Sequence, residues 1–138
     1  MDKVGKFYRS IDVELPRRST PGSAGYDFYA PHDIVIPAGS SVQFNTGVCV
    51  NIVDGWVLML FPRSSLGMKG IRIANTTGII DSDYTYPIGC KLVNDSEDDI
   101  SIRTGERYMQ GIFLQYGITE DDEPVNKGRK GGMGSTGK

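Results

Sequence analysis

Several short segments carry side chains of types that do chemistry. Gly78-Ile79-Ile80-Asp81-Ser82-Asp83-Tyr84 places two carboxylates two residues apart, behind an apolar pair and beside an aromatic ring. Carboxylates framed in this way can orient a water or hold a cation. The same residues also describe a polar hairpin tip with solvated acids. Pro62-Arg63-Ser64-Ser65-Leu66-Gly67 follows an apolar run, so a guanidinium and two hydroxyls stand at a strand end. Binding groups commonly occupy such loops on a rigid scaffold, although a turn capped by Ser64 or Ser65 fits these residues equally well. The end of the chain is a third candidate. Gly128, Gly131, Gly132, Gly134 and Gly137 crowd there with Ser135, Thr136 and Arg129. Glycine lets successive backbone N–H groups converge on anionic oxygens, and hydroxyls and guanidinium add donors. Composition alone favours a solvated basic tail with no ligand, and no G-x-x-x-x-G-K-[ST] loop is present. Asp95, Glu97, Asp98 and Asp99 read as a charged turn. Cys49, Cys90 and His32 have no zinc-ligand spacing, and the two thiols read as reduced core residues of an intracellular protein.

These groups need elements to hold them. The chain has 138 residues, with 15 Lys and Arg against 17 Asp and Glu. That length favours one domain, and the near balance of charge argues against a duplex nucleic-acid binder. The longest apolar run, Trp56 to Phe61, is too short to span a bilayer, and Met1 to Lys6 has no secretory core. Glycine numbers 18, about 13% against a usual share near 7%, so tight turns, a backbone-lined ligand site, or both are expected. Alternation of Val42, Phe44, Thr46, Val48, Val50 and Ile52 predicts one strand from 42 to 52. Asp54-Gly55 then predicts a hairpin whose return strand is Trp56 to Phe61. Further strands are expected at 11–15, 26–29, 34–36, 88–93, 100–102 and 109–116, with at most a helical turn at 64–69. Many short strands punctuated by Gly and Pro suggest an all-β antiparallel sandwich or jelly roll. The acidic run Glu120 to Glu123 and then Pro124 divide a β-domain, 1–124, from a Gly-rich arm, 125–138, expected to be flexible when alone.

Order adds what the segments lack singly. Ala24-Gly25-Tyr26-Asp27, Pro62 to Gly67, Gly78 to Tyr84, Gly105-Glu106-Arg107-Tyr108-Met109-Gln110, and Gly131 to Gly137 follow one another along the chain. In this, from about residue 24 to its end, the chain resembles the trimeric dUTPase family, which hydrolyses dUTP to dUMP and pyrophosphate. The resemblance implies a jelly-roll fold and a homotrimer whose active sites are shared between subunits. It implies that Asp81 orients and deprotonates the water attacking the α-phosphorus, and that Tyr84 packs beneath deoxyribose and excludes a 2′-hydroxyl. It assigns the hairpin 75–81 to uracil, with backbone at Gly78 and Ile80 imitating a pairing base and Asn75 fixing the geometry. Arg63, Ser64, Ser65 and Gln110 would hold the phosphate chain. Arg129, Met133, Gly134, Ser135 and Thr136 would close over a neighbour's nucleotide. Asp27 would support this region or serve structure alone. Mg2+ would ride on the triphosphate, since the chain offers no all-protein metal cage. The setting would be intracellular, in the host cell if the source is viral.

The chain departs from the family pattern at three places. Met133 stands where an aromatic usually stacks on uracil, which implies a looser lid and a higher Michaelis constant. Arg129 lies four residues before Met133 rather than five, with Gly128 in the expected place. Thr85-Tyr86-Pro87 replaces the usual Arg-Gly, so the pocket's exit is expected to bend differently. Two other readings compete. A dCTP deaminase would need a glutamate beside the pyrimidine, and residues 75–84 contain none. A regulatory binding module on the same fold would act through protein contact and would not need Asp81, Tyr84, Arg63 and Gln110.

Overall fold

A computed structural model describes residues 1–126. Within them the expectation of an all-β antiparallel fold is met. Strands β1 (Gly5–Arg9), β2 (Arg17–Arg18), β3 (Tyr26–Tyr29), β4 (Ile34–Ile36), β5 (Ser41–Asn45), β6 (Val48–Ile52) and β7 (Trp56–Pro62) precede one short helix, α1 (Ser64–Met68). After it come β8 (Ile71–Ile73), β9 (Gly78–Ile80), β10 (Gly89–Asn94), β11 (Ile100–Ile102) and β12 (Arg107–Gln115). The largest sheet runs β2-β3-β12-β7-β9, a second runs β5-β10-β8, and β1-β6 and β4-β11 are two-stranded. Every pairing is antiparallel. Phe28, Ile36, Val50, Leu58, Ile88 and Leu92 are fully buried between these layers. Burying such side chains contributes about 1.5–3 kcal/mol each before the entropy of ordering them.

Three sequence expectations need correction. The stretch 42–52 is two strands in different sheets, because β5 pairs with β10 and β6 pairs with β1. The break falls at Thr46 and Gly47. The Asn45 side chain accepts the Gly47 N–H, the Thr46 hydroxyl donates to Ile88 O at 2.7 Å, and Gly47 adopts a φ of +77°. These local bonds replace ladder bonds and steer the chain across the sandwich, while the inward alternation continues through fully buried Thr46. Asp54-Gly55 does make a turn, closed by Trp56 N–H to Val53 O. It joins no hairpin, however, since β7 lies between β12 and β9. Residues 11–15 are not a strand. After the Ser10 N–H bond to Gly47 O, the Arg9 Nε–H binds Val13 O, and Ile11 packs where a Gly47 side chain would otherwise stand. Strands β3, β4 and β11 occupy the expected residues, and β10 and β12 differ from expectation by one or two. β1, β2, β8 and β9 are additional.

Candidate active site

A cavity of about 420 Å³ opens beside β9 and β10, lined by Asn75, Gly78, Ile80, Asp81 and Tyr84. Sequence distance between Asn75 and Tyr84 is thus closed into one wall. The expected hairpin is instead a turn between two sheets: β8 and β9 do not pair with each other, β8 lying on β10 and β9 on β7. Thr76 sits at φ +68° at its turn, a conformation disfavoured for a β-branched residue and characteristic of places where geometry matters. Gly78 allows close packing, because a Cβ there would stand 3.0 Å from Leu60 Cβ. Tyr84 is buried, with its N–H on Asp81 O at 3.0 Å and its hydroxyl on Pro87 O at 2.9 Å. Its ring meets Tyr86 at 5.8 Å between centroids. Leu60, Cys90 and Met109 also line the cavity. Cys90 Sγ lies 3.9 Å from Met109 Sδ, and burial pushes the thiol up to about 12, so it stays neutral.

Arg63, Ser64, Ser65 and Gln110 line a second cavity of about 400 Å³. β7 ends at Pro62 and α1 begins at Ser64, so these side chains leave the sheet together. Neither serine caps the helix. Instead, Ser65 Oγ accepts from Arg63 Nη1 at 3.3 Å. Gln110 Nε2 donates to Pro62 O at 3.4 Å. Its amide lies over Gly25, where a Cβ would overlap Gln110 Oε1. Asp27, largely covered, accepts from Ser19 Oγ at 2.9 Å and faces Arg107 Nη1 at 3.6 Å. Asp27 thus borders the cavity, tied to Ser19 and Arg107.

Arg107 is a wall residue that side-chain type and spacing did not single out, although it lies inside the fourth motif. Strict alternation places residues 107 and 110 on opposite faces. Tyr108 forms a bulge in β12, so Arg107 pairs with Tyr29 and Gln110 with Asp27. Residues 27 and 29 share a face, hence so do 107 and 110.

The two cavities lie on opposite sides of the large sheet. Met109 faces the first and Gln110 the second, as adjacent residues of one strand must. One copy of the chain therefore brings Asp81 together with Tyr84, and Arg63 with Gln110, but does not bring the two groups together. Arg129, Met133, Gly134, Ser135 and Thr136 lie outside the described residues. The acidic turn belongs to structure: Asp95 pairs with Arg72 at 2.7 Å, and Asp99 accepts the Ala38 N–H. Both cysteines are free and buried. No helix among the described residues is long and apolar enough to cross a membrane.

Sandwich and cavities together define a small jelly-roll protein with two separate cavities, one largely apolar and one rich in polar side chains. The family model for dUTPase matches residues 12–137. A deoxyuridine 5'-triphosphate nucleotidohydrolase of Caulobacter vibrioides is 37% identical over 137 residues, covering 93% of this chain and 88% of that one. Another, from vaccinia virus, is 35% identical over 129 residues, covering 91% of this chain and 86% of that one. The crystal structure of a dUTPase from Streptococcus mutans superposes with a TM-score of 0.75 at 33% identity, over 83% of this chain and 98% of that one. The chain belongs to the dUTPase family.

Proposed function

We propose that this chain is a dUTP diphosphatase, releasing dUMP and pyrophosphate at sites shared between the copies of a homotrimer. The observation that carries this reading is the placement of Asp81 and Tyr84 on one wall of a nucleoside-sized cavity. Uracil would enter beside Asn75, Gly78 and Ile80, where backbone groups imitate a pairing base and leave no room for a 5-methyl. Buried Tyr84 would lie beneath deoxyribose, closing the space that a 2′-hydroxyl needs. Asp81 would hold the attacking water and take its proton as the oxygen bonds to the α-phosphorus. The α–β bridging oxygen would then leave with pyrophosphate. Arg63, Ser64, Ser65 and Gln110 supply donors suited to that leaving group. Arg107 and Asp27 keep those donors in register.

Division of the site across the sheet supports the shared assembly, because one copy cannot direct both cavities at a single nucleotide. Leu114, Tyr116 and Ile118 also leave apolar surface exposed near the end of the described residues, as a chain that packs against its copies would. The arm 125–138 would close over a neighbour's nucleotide and shed water before chemistry. Among the described residues no three His, Cys, Asp or Glu side chains converge. Magnesium would be carried on the triphosphate by phosphate oxygens and water, with no side chain assigned to it. Such an ion would neutralise phosphate charge and polarise the reacting centre. Free, buried thiols accord with an intracellular setting.

Pyrophosphate release from dUTP, dCTP, dTTP and UTP, measured side by side, tests the reading. The expected result is preference for dUTP by about a hundredfold or more. Equal release from UTP would remove the sugar role of Tyr84. Ammonia from dCTP would replace the reaction with deamination.

A further inference from the structure

The cavity that holds Asp81 contains one cation among the described residues that line it, Lys91. Lys91 is exposed at the middle of β10, while Cys90 and Leu92 on either side of it are buried. Its side chain therefore stands on the opposite face of the strand from Cys90 and the core, and the cavity is lined from both faces of β10. Lys91 O accepts the Ala74 N–H at 2.9 Å, which fastens this position to the residue before Asn75. Gln43 is its directly paired neighbour on β5, and it lines the same cavity. Paired residues of an antiparallel ladder place their side chains together on one face. Asp81 follows β9, at the opposite end of the segment 74–81 from Ala74. If the reacting phosphate is at Asp81, Lys91 belongs to the end that receives the base.

We infer that Lys91, steered by Gln43, is a specificity-determining residue that donates a hydrogen bond to the pyrimidine carbonyl which distinguishes uracil from cytosine. The inference deepens the proposed nucleotide site and rests on it. An ammonium has three donors and no acceptor. Uracil presents a carbonyl at C4, an acceptor, where cytosine presents an amino group, a donor. Donor against donor is unfavourable, so a lysine here rewards one base and penalises the other. Backbone groups at Gly78 and Ile80 fix the base by shape, and Lys91 adds a charged donor at its rim.

Equilibrium titration of the full chain with dUMP and dCMP, which needs no chemistry, tests this in wild type, Lys91→Met and Lys91→Arg. Because Lys91 is exposed, an unchanged melting temperature is expected and serves as the folding control. Lys91→Met should weaken dUMP about tenfold and leave dCMP bound as well as or better than in wild type, and Lys91→Arg should retain most of the preference. Three outcomes would overturn the inference: a wild-type chain that does not prefer dUMP, an unchanged dUMP-to-dCMP ratio in Lys91→Met, or equal losses for both nucleotides. Absent dUTP turnover with the dUMP preference intact and lost in Lys91→Met would fall on the proposed reaction alone and would support the role of Lys91.

Discussion

The two cavities are of similar size, near 420 and 400 Å³, and are built on contrary principles. The first is walled by the segment 74–81 and lined by Leu60, Cys90, Met109 and Asp81. Shape and backbone dominate it, as suits a flat, weakly polar base. The second collects Arg63, Arg107, four serines and Gln110 on the outer face of the large sheet. Charge and hydroxyl donors dominate it, as suits a polyanion. A nucleotide needs both kinds of surface at once. Since one sheet stands between them, the contrast itself argues for assembly between copies.

The largest expected effect breaks the pair apart. Asp81→Asn keeps the shape of the first cavity and removes the proposed base, so turnover should fall about a thousandfold while dUMP still binds. Turnover within tenfold of wild type would take the base away from Asp81. Arg63→Ala should disable the second cavity independently. Copies of the two variants, unfolded and reassembled together in equal amounts, should regain up to about a quarter of wild-type activity if each site draws on two subunits. A mixture no more active than its components would place each site within one copy.

A smaller effect sharpens the second cavity. Gly25→Ala puts a methyl where Gln110 Oε1 lies and 3.4 Å from Gln110 Cβ, displacing a flexible amide and little else. Activity should drop about tenfold with stability changed by less than about 1 kcal/mol. A large loss in melting temperature would instead make Gly25 a packing residue. The smallest effect concerns the floor of the first cavity. Burial raises the Cys90 thiol to about 12, above its value in the unfolded chain. Its contribution to stability is complete below about pH 9 and is lost as pH rises toward 12, on the order of 4 kcal/mol at the alkaline end. Tyr108, also held up by burial, adds to the loss at higher pH. Melting temperature followed from pH 8 to 11 should fall from pH 9 in wild type, and Cys90→Ala should start lower but lack the early part of the fall. Parallel curves would mean that the thiol titrates without cost to the fold.

Much of this was legible in the residues. Alternation located β3, β4 and β11, because period two is a local property that one buried face imposes. Motif order singled out Asp81 and Tyr84, which the fold sets in one cavity, and Arg63 and Gln110, which it sets in the other. The break at Thr46 escaped alternation for a physical reason: its side chain stays buried, so polarity does not change where the backbone does. Asp54-Gly55 signalled a turn correctly but not which strands would pair, since partners are chosen by distant surfaces. Arg107 escaped because the bulge at Tyr108 shifts the face by one residue, and a bulge leaves no mark in composition.

Sequence by itself determined the strand character of the chain, its turns, the order of its motifs and the family to which it belongs. All of these depend on residue types close together along the backbone. Only the tertiary structure decided that β5 and β6 part into different sheets, that Lys91 meets the first cavity, and that Met109 and Gln110 open onto separate ones. Those outcomes depend on which side of a shared sheet a residue faces, and the ladder sets that from strands far away in sequence.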